Sequence, residues 1–162
     1  MQTPKINSLR KLYQELDKVY GKIYEFCHIC KEEDCKGYVW LLPKEAKKLL
    51  RRNISIIEIN KRLYFLDSFS RESKMINVEE EKPLCVFREK NGKCSIYPSR
   101  PLACRLYPLD FKVLNKEFFI VLHTDCLFIQ KMIEEKNITQ FLEKVLNIFY
   151  NCNKLVCQSS VN

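Results

Sequence analysis

Glycine is scarce in this chain. Only Gly21, Gly37 and Gly92 occur among 162 residues. A phosphate-cradling loop needs closely spaced glycines and is therefore excluded. Long flexible linkers are excluded on the same ground. No stretch approaches the roughly 20 consecutive apolar residues of a membrane-spanning helix. The first residues, MQTPKINSLRKLYQELDKVY, interleave charged and apolar side chains and lack the apolar centre of a secretory signal. A cytoplasmic location is the expectation, and thiols are kept reduced there. Internal repeats, low-complexity tracts, a radical-type C-x3-C-x2-C motif and a recognisable nucleophile–base pair are also missing.

What is present reads as a soluble globular chain of one-domain size, with 46% hydrophobic and 30% charged residues. One cysteine-cluster domain is expected over residues 1–150, with a polar tail over 151–162. The formal net charge is +8. That charge fits either a nucleic-acid surface or a solvated lysine-rich face, and it also offsets clustered thiolates.

The hydrophobic pattern predicts an α+β fold with terminal helices and short hairpins between them. Leu9, Leu12, Leu16, Val19, Ile23 and Phe26 form one helical face over Ser8 to Phe26, with Thr3-Pro4 or Asn7-Ser8 as its start and Gly21 weakening the last turns. Tyr38 to Leu42 reads as a strand, and Pro43 suits the first turn of a basic helix ending near Arg52. Ile54 to Leu66 predicts a hairpin turning at Asn60-Lys61, and residues 68–82 read as a charged surface loop. Asn91-Gly92 is the strongest hairpin signal. A single helical turn is expected within Pro98 to Cys104. A further hairpin is expected around Asn115-Lys116, then helical segments from Asp125, with Asn137 capping the last.

Nine cysteines occupy this chain. An odd number of thiols in a reducing compartment argues for metal or catalysis over a disulfide scaffold. Free cysteine also packs as a small hydrophobe, which explains one or two positions but not nine. Seven lie in the patterned region: Cys27, Cys30, Cys35, Cys85, Cys94, Cys104 and Cys126. Their spacing is C-x2-C-x4-C, then C-x8-C-x9-C, then Cys126. A zinc ribbon shows two C-x2-C knuckles, and here the second is missing. With Glu89 to Gly92 as the loop, Cys85 and Cys94 would fall on one face of a hairpin as diagonal neighbours. Ligands scattered in this way suit an iron–sulfur cluster better than a zinc knuckle. Cys152 and Cys157 do not share a helical face and are read as bystanders.

The stretch from residue 94 to 110, CSIYPSRPLACRLYPLD, supplies what such a centre requires. Four thiolates around Zn²⁺ or a [4Fe–4S]²⁺ cluster leave two negative charges, which are costly to bury without donors nearby. Arg100 and Arg105 flank Cys104 with permanent charge. Pro98 and Pro101 stiffen the backbone, and Tyr97 and Tyr107 can wall off water. Among the other polar groups, His28 is either a ligand or a loop histidine, and His123 either a core or capping histidine or a ligand. Asp110 and Asp125 have the chemistry for acid–base work, but no partner carboxylate is identifiable.

Cys27-x2-Cys30, Cys35, the run G-Y-V-W-L-L-P-K-E, and C-x8-C-S-I-Y-P-S-R-P-L-A-C-R with a later cysteine resemble the CxxCxxCC (YkgJ-type) cysteine-cluster family. Its members are described as carrying a zinc- or iron-chelating domain. The resemblance spans roughly residues 27 to 126, and Ile96 to Arg105 is its most specific part. It implies that the seven cysteines are the metal-ligand candidates. The family's first motif usually ends in a cysteine doublet, whereas Cys35 is followed here by Lys36. Flagellin lysine N-methylases carry a similar cysteine-rich module, which by analogy implies chemistry on a protein substrate.

Two function classes follow. One is a cytoplasmic protein holding an iron–sulfur cluster or zinc, acting in protein or macromolecule modification. The other is a basic nucleic-acid-binding module with a structural zinc, its contacts made by Lys44, Lys47, Lys48, Arg51 and Arg52.

Overall fold

The computed structural model describes residues 5–21, 23–27, 39–65, 85–114 and 117–152. The architecture is α+β, as expected. The chain divides into two compact units, one formed by Met1–Cys30 with Arg105–Asn162 and the other by Lys31–Cys104.

The first unit opens with α1 (Leu9–Val19), capped by Ser8, whose side chain accepts the Lys11 N–H at 3.3 Å. The single helix expected over Ser8 to Phe26 is in fact two. Tyr20 closes α1 through its N–H to the Leu16 carbonyl, and Gly21 turns the chain. The Tyr20 carbonyl then accepts the Ile23 N–H at the start of α2 (Ile23–Cys27). Burial explains why the break falls there. The Tyr20 ring is 1% exposed and its hydroxyl donates to the Leu106 carbonyl at 3.1 Å. Desolvation pushes its phenol far above the ordinary value, so it stays neutral.

An edge-on aromatic chain runs from Tyr20 to Phe141 (5.2 Å), Phe128 (5.3 Å) and Phe26 (5.8 Å). It joins α1 and α2 to α5 (Leu127–Glu134) and α6 (Ile138–Tyr150). The α6 face buries Phe141, Val145 and Ile148. Asn137 stands at the N-cap position as expected, but its side chain donates to Glu135 at 3.2 Å instead of accepting from the helix. Strands β4 (Leu109–Leu114) and β5 (Glu117–Leu122) pair antiparallel from Leu109↔Leu122 to Leu114↔Glu117. The expected turn residues Asn115 and Lys116 lie outside the described residues.

In the second unit, β1 (Val39–Leu41), β2 (Ile56–Ile59) and β3 (Arg62–Phe65) form an antiparallel sheet in the order β1-β3-β2. Helix α3 (Pro43–Leu50) carries proline in its first turn and packs on this sheet. Leu41, Ala46, Leu49, Ile54 and Phe65 make the core. The β2–β3 turn is Asn60-Lys61, with φ of 50° and 64°. Two successive positive φ values are the mark of a type I′ turn, whose twist matches the strands it joins. The segment expected as a charged loop, residues 68–82, lies outside the described residues.

Glycine scarcity has a local cost. Helices α3 and α5 both end in a left-handed residue, and neither residue is glycine. They are Asn53 (φ 57°) and Lys136 (φ 57°). In each case the paired bonds of a Schellman motif close the helix: Asn53 N–H to Leu50 O with Ile54 N–H to Leu49 O, and Lys136 N–H to Ile133 O with Asn137 N–H to Met132 O. A left-handed residue with a Cβ costs about 1–2 kcal/mol. Lys136→Gly should therefore stabilise the chain by about 0.5–1 kcal/mol, net of the larger unfolded-state entropy of glycine, as read by urea denaturation.

Candidate metal centre

Cys85, Cys94, Cys104 and Cys126 are all thiols outside any disulfide. Cys152 is disulfide-bonded, which departs from the expectation of thiols kept reduced. Cys30, Cys35 and His28 lie outside the described residues, and Cys27 is described only as the last residue of α2. Among the described residues, no group of three or more histidine, cysteine, aspartate or glutamate side chains is placed to hold a metal ion.

Cys94 has the most developed surroundings. The Asn91-Gly92 turn forms, with Gly92 at φ 80° and the Glu89 N–H bonded to the Lys93 carbonyl. The flanks do not extend into the expected hairpin. A single bridge pairs Arg88 with Cys94, one residue away from the expected register, and turns lie on both sides. The diagonal placement of Cys85 and Cys94 by strand alternation therefore does not apply. The physical reason lies in Cys94 itself. Its sulfur accepts the Ile96 N–H and its carbonyl accepts the Tyr97 N–H at 3.1 Å. Both bonds fold the chain back directly after the cysteine, and a 3-10 turn over Tyr97–Ser99 follows.

A backbone N–H aimed at cysteine sulfur stabilises the thiolate and therefore a metal-bound sulfur. Arg100 adds to this. Its side chain is nearly buried, at 7% exposure, and its guanidinium lies 3.9 Å from the centre of the Tyr97 ring while donating to the Tyr97 carbonyl at 2.8 Å. Its charge favours the Cys94 thiolate, as does the Ile96 N–H, but desolvation outweighs both and holds the thiol above its ordinary value. A metal ion would supply the charge that tips this balance, since coordination takes the proton off a thiol. The residues present thus fit a thiolate-bound metal at Cys94.

The other candidate thiols are placed differently. Cys85 packs against the core of the second unit beside Val86 and Phe87. Cys104 occupies the middle of α4 (Leu102–Leu106), a helix of five residues. Cys126, 5% exposed, is the N-cap residue of α5 and bonds through its N–H to the His123 carbonyl. His123 is exposed, with its ring 5.3 Å from Tyr107. Asp110 and Asp125 are exposed, and the Asp110 carboxylate accepts the Phe111 N–H.

Arg105 is 3% exposed and answers an acid on α1. Its guanidinium donates to both Asp17 oxygens and lies 4.5 Å from the centre of the Tyr13 ring. Sequence reasoning named Arg105 but missed Asp17 and Tyr13, because both read as ordinary positions of an amphipathic helix. It also missed Glu45. An acidic residue at the third position of a helix is a capping signal, and the Glu45 carboxylate does accept the Leu42 N–H at 2.8 Å. Nothing in the pattern announced its second bond, from the Leu102 N–H at 2.7 Å.

Two outcomes are expected for the metal-free, reduced chain. The pH midpoint for Cys94 alkylation should lie above the ordinary thiol value of about 8.5. Arg100→Gln should move it further up, because the substitution removes a positive charge that favours the thiolate. Alkylation rate against pH, read by mass spectrometry of the Cys94 peptide, checks both.

No helix among the described residues is long and apolar enough to cross a membrane. No curated protein and no solved structure matches the chain. Residues 25–127, more than half of the sequence and the stretch holding all seven ligand candidates, match the family described as "CxxCxxCC: Putative zinc- or iron-chelating domain". The chain belongs to the CxxCxxCC family of metal-chelating domains.

Proposed function

We propose that this chain holds an iron–sulfur cluster through a set of thiolates drawn from Cys27, Cys30, Cys35, Cys85, Cys94, Cys104 and Cys126, in a reducing compartment such as the cytoplasm. The observation that carries the reading is the turn at Cys94. The sulfur there meets a backbone N–H beside a nearly buried arginine, donors suited to a metal-bound thiolate, while burial holds the metal-free thiol above its ordinary value. A cluster is favoured over zinc because the candidate ligands come from well-separated segments and include no second C-x2-C knuckle. When bound, such a cluster supplies redox or Lewis-acid chemistry. Arg100 with Tyr97 supplies positive charge and shields the ligand from water, and Arg105 with Asp17 secures the segment that follows Cys104. The role proposed for the centre is modification of a protein or other macromolecule.

Because metal binding and folding are coupled in small thiolate sites, Cys104→Ser should lose metal and solubility, and Cys157→Ser should change neither. Metal per chain, measured by elemental analysis of both variants after anaerobic purification, tests this. Full metal content in Cys104→Ser removes Cys104 from the ligand set.

A second reading has its own observation. Lys44, Lys47, Lys48 and Arg51 recur at i, i+3, i+4 and i+7, opposite the buried Ala46 and Leu49. All four are exposed, Arg52 beside them is exposed as well, and none pairs with an acid among the described residues. This stripe suits phosphate contacts, and a zinc-stabilised nucleic-acid module would use it. On that reading, affinity for duplex DNA or RNA falls steeply with salt, and Lys47→Glu with Lys48→Glu flattens the slope by about two phosphate contacts. Absent or salt-insensitive binding rejects it.

A further inference from the structure

Helix α4 is only five residues long and carries Cys104 at its centre. A helix this short has no stability of its own, and its first N–H groups find no partner inside it. Serine, threonine, asparagine or aspartate before Leu102 would supply a local cap. Pro101 stands there instead, with neither a side-chain acceptor nor an N–H. The acceptor comes from elsewhere in the same unit. Glu45 Oε1 takes the Leu102 N–H at 2.7 Å, while Glu45 Oε2 takes the Leu42 N–H at 2.8 Å.

We propose that Glu45 is a positioning residue for the metal ligand Cys104, joining the first turn of α4 to α3 through its two carboxylate oxygens. The proposal rests on the reading of Cys104 as a ligand. A cap for α3 needs only one oxygen, and the second spans 57 residues of sequence. Leu42 and Leu102 are both buried, at 3% and 0% exposure, so neither N–H has water as a substitute partner. Helix α3 is itself seated in the core through Ala46 and Leu49. A negatively charged acceptor at the start of α4 also matches the direction of the helix dipole. Cys104 follows Leu102 by two residues, so fixing the first N–H of this turn fixes the ligand's backbone. Groups that orient a metal ligand without touching the metal typically change affinity by about 10- to 100-fold when removed.

The chemistry of substitution is graded. Alanine removes both acceptors. Glutamine keeps one acceptor oxygen and turns an NH₂ toward the other N–H, so one bond survives. Aspartate is one methylene shorter and does not span both N–H groups.

The test titrates Zn²⁺ against a chromophoric chelator into the reduced full chain, for the parent, Glu45→Ala, Glu45→Gln and Ile54→Ala. Ile54 belongs to the same core but makes neither bond, so it controls for stability loss alone. Alkylation rates of Cys104 and Cys126 are read by mass spectrometry in the metal-free chains. Zn²⁺ affinity should fall about 10- to 100-fold in Glu45→Ala and by less in Glu45→Gln. It should stay within about threefold of the parent in Ile54→Ala. Cys104 alkylation should accelerate in Glu45→Ala while Cys126 alkylation does not. Equal affinity losses in Glu45→Ala and Ile54→Ala, or unchanged Cys104 alkylation, overturn the proposal. Absence of metal binding in the parent refutes the metal reading of Cys104, and the alkylation comparison then still decides whether Glu45 positions that residue.

Discussion

A thiolate stays out of water only where N–H donors or positive charge meet it. That constraint organises the most informative part of this chain. At Cys94 it appears as a backbone N–H from Ile96 and a guanidinium from Arg100. In the segment that follows Cys94, Arg100 and Tyr97 answer the second requirement. The arginine supplies charge. The tyrosine ring gives that arginine a face to lie against, which lets it approach burial. In the metal-free chain, desolvation still prevails at Cys94 and holds the thiol above its ordinary value. On the proposed reading, a bound cation would supply the charge that this balance lacks.

The Cys104 segment faces a different problem, since a five-residue helix cannot hold its central cysteine still by itself. Its first turn is tied to α3 by Glu45, and Arg105 at its last turn is tied to Asp17 on α1. Both tethers are carboxylates far away in sequence. Neither belongs to the cysteine motif, although Glu45 ends the G-Y-V-W-L-L-P-K-E run that accompanies it.

Much of the fold is legible in the sequence, because local chemistry decides it. Ser8 caps α1, Pro43 opens α3, and Asn60-Lys61 forms a two-residue turn. Each follows from one or two residues acting on their neighbours. The readings that change depend on distant partners. Apolar periodicity carries through Gly21, but the buried Tyr20, bonded to Leu106, sets the helix break. Asn91-Gly92 signals a hairpin, and the turn forms, yet Cys94 spends its sulfur and carbonyl on the next residues and no ladder grows. The cysteine spacing and the I-Y-x-x-R-P-x-x-C-R core identify the family. They say nothing of Glu45, Asp17 or Tyr13, whose roles appear only when residues far apart in sequence are placed side by side.

The central claim is that these thiols hold a metal centre, and that the centre is an iron–sulfur cluster. The most direct measurement is iron, zinc and acid-labile sulfide content together with the visible absorption spectrum of the chain purified without oxygen. The account predicts a brown protein with about four irons and about four sulfides per chain. A colourless protein with one or two tightly held zinc ions would contradict the cluster and leave a zinc site. A chain with neither metal would contradict the centre itself.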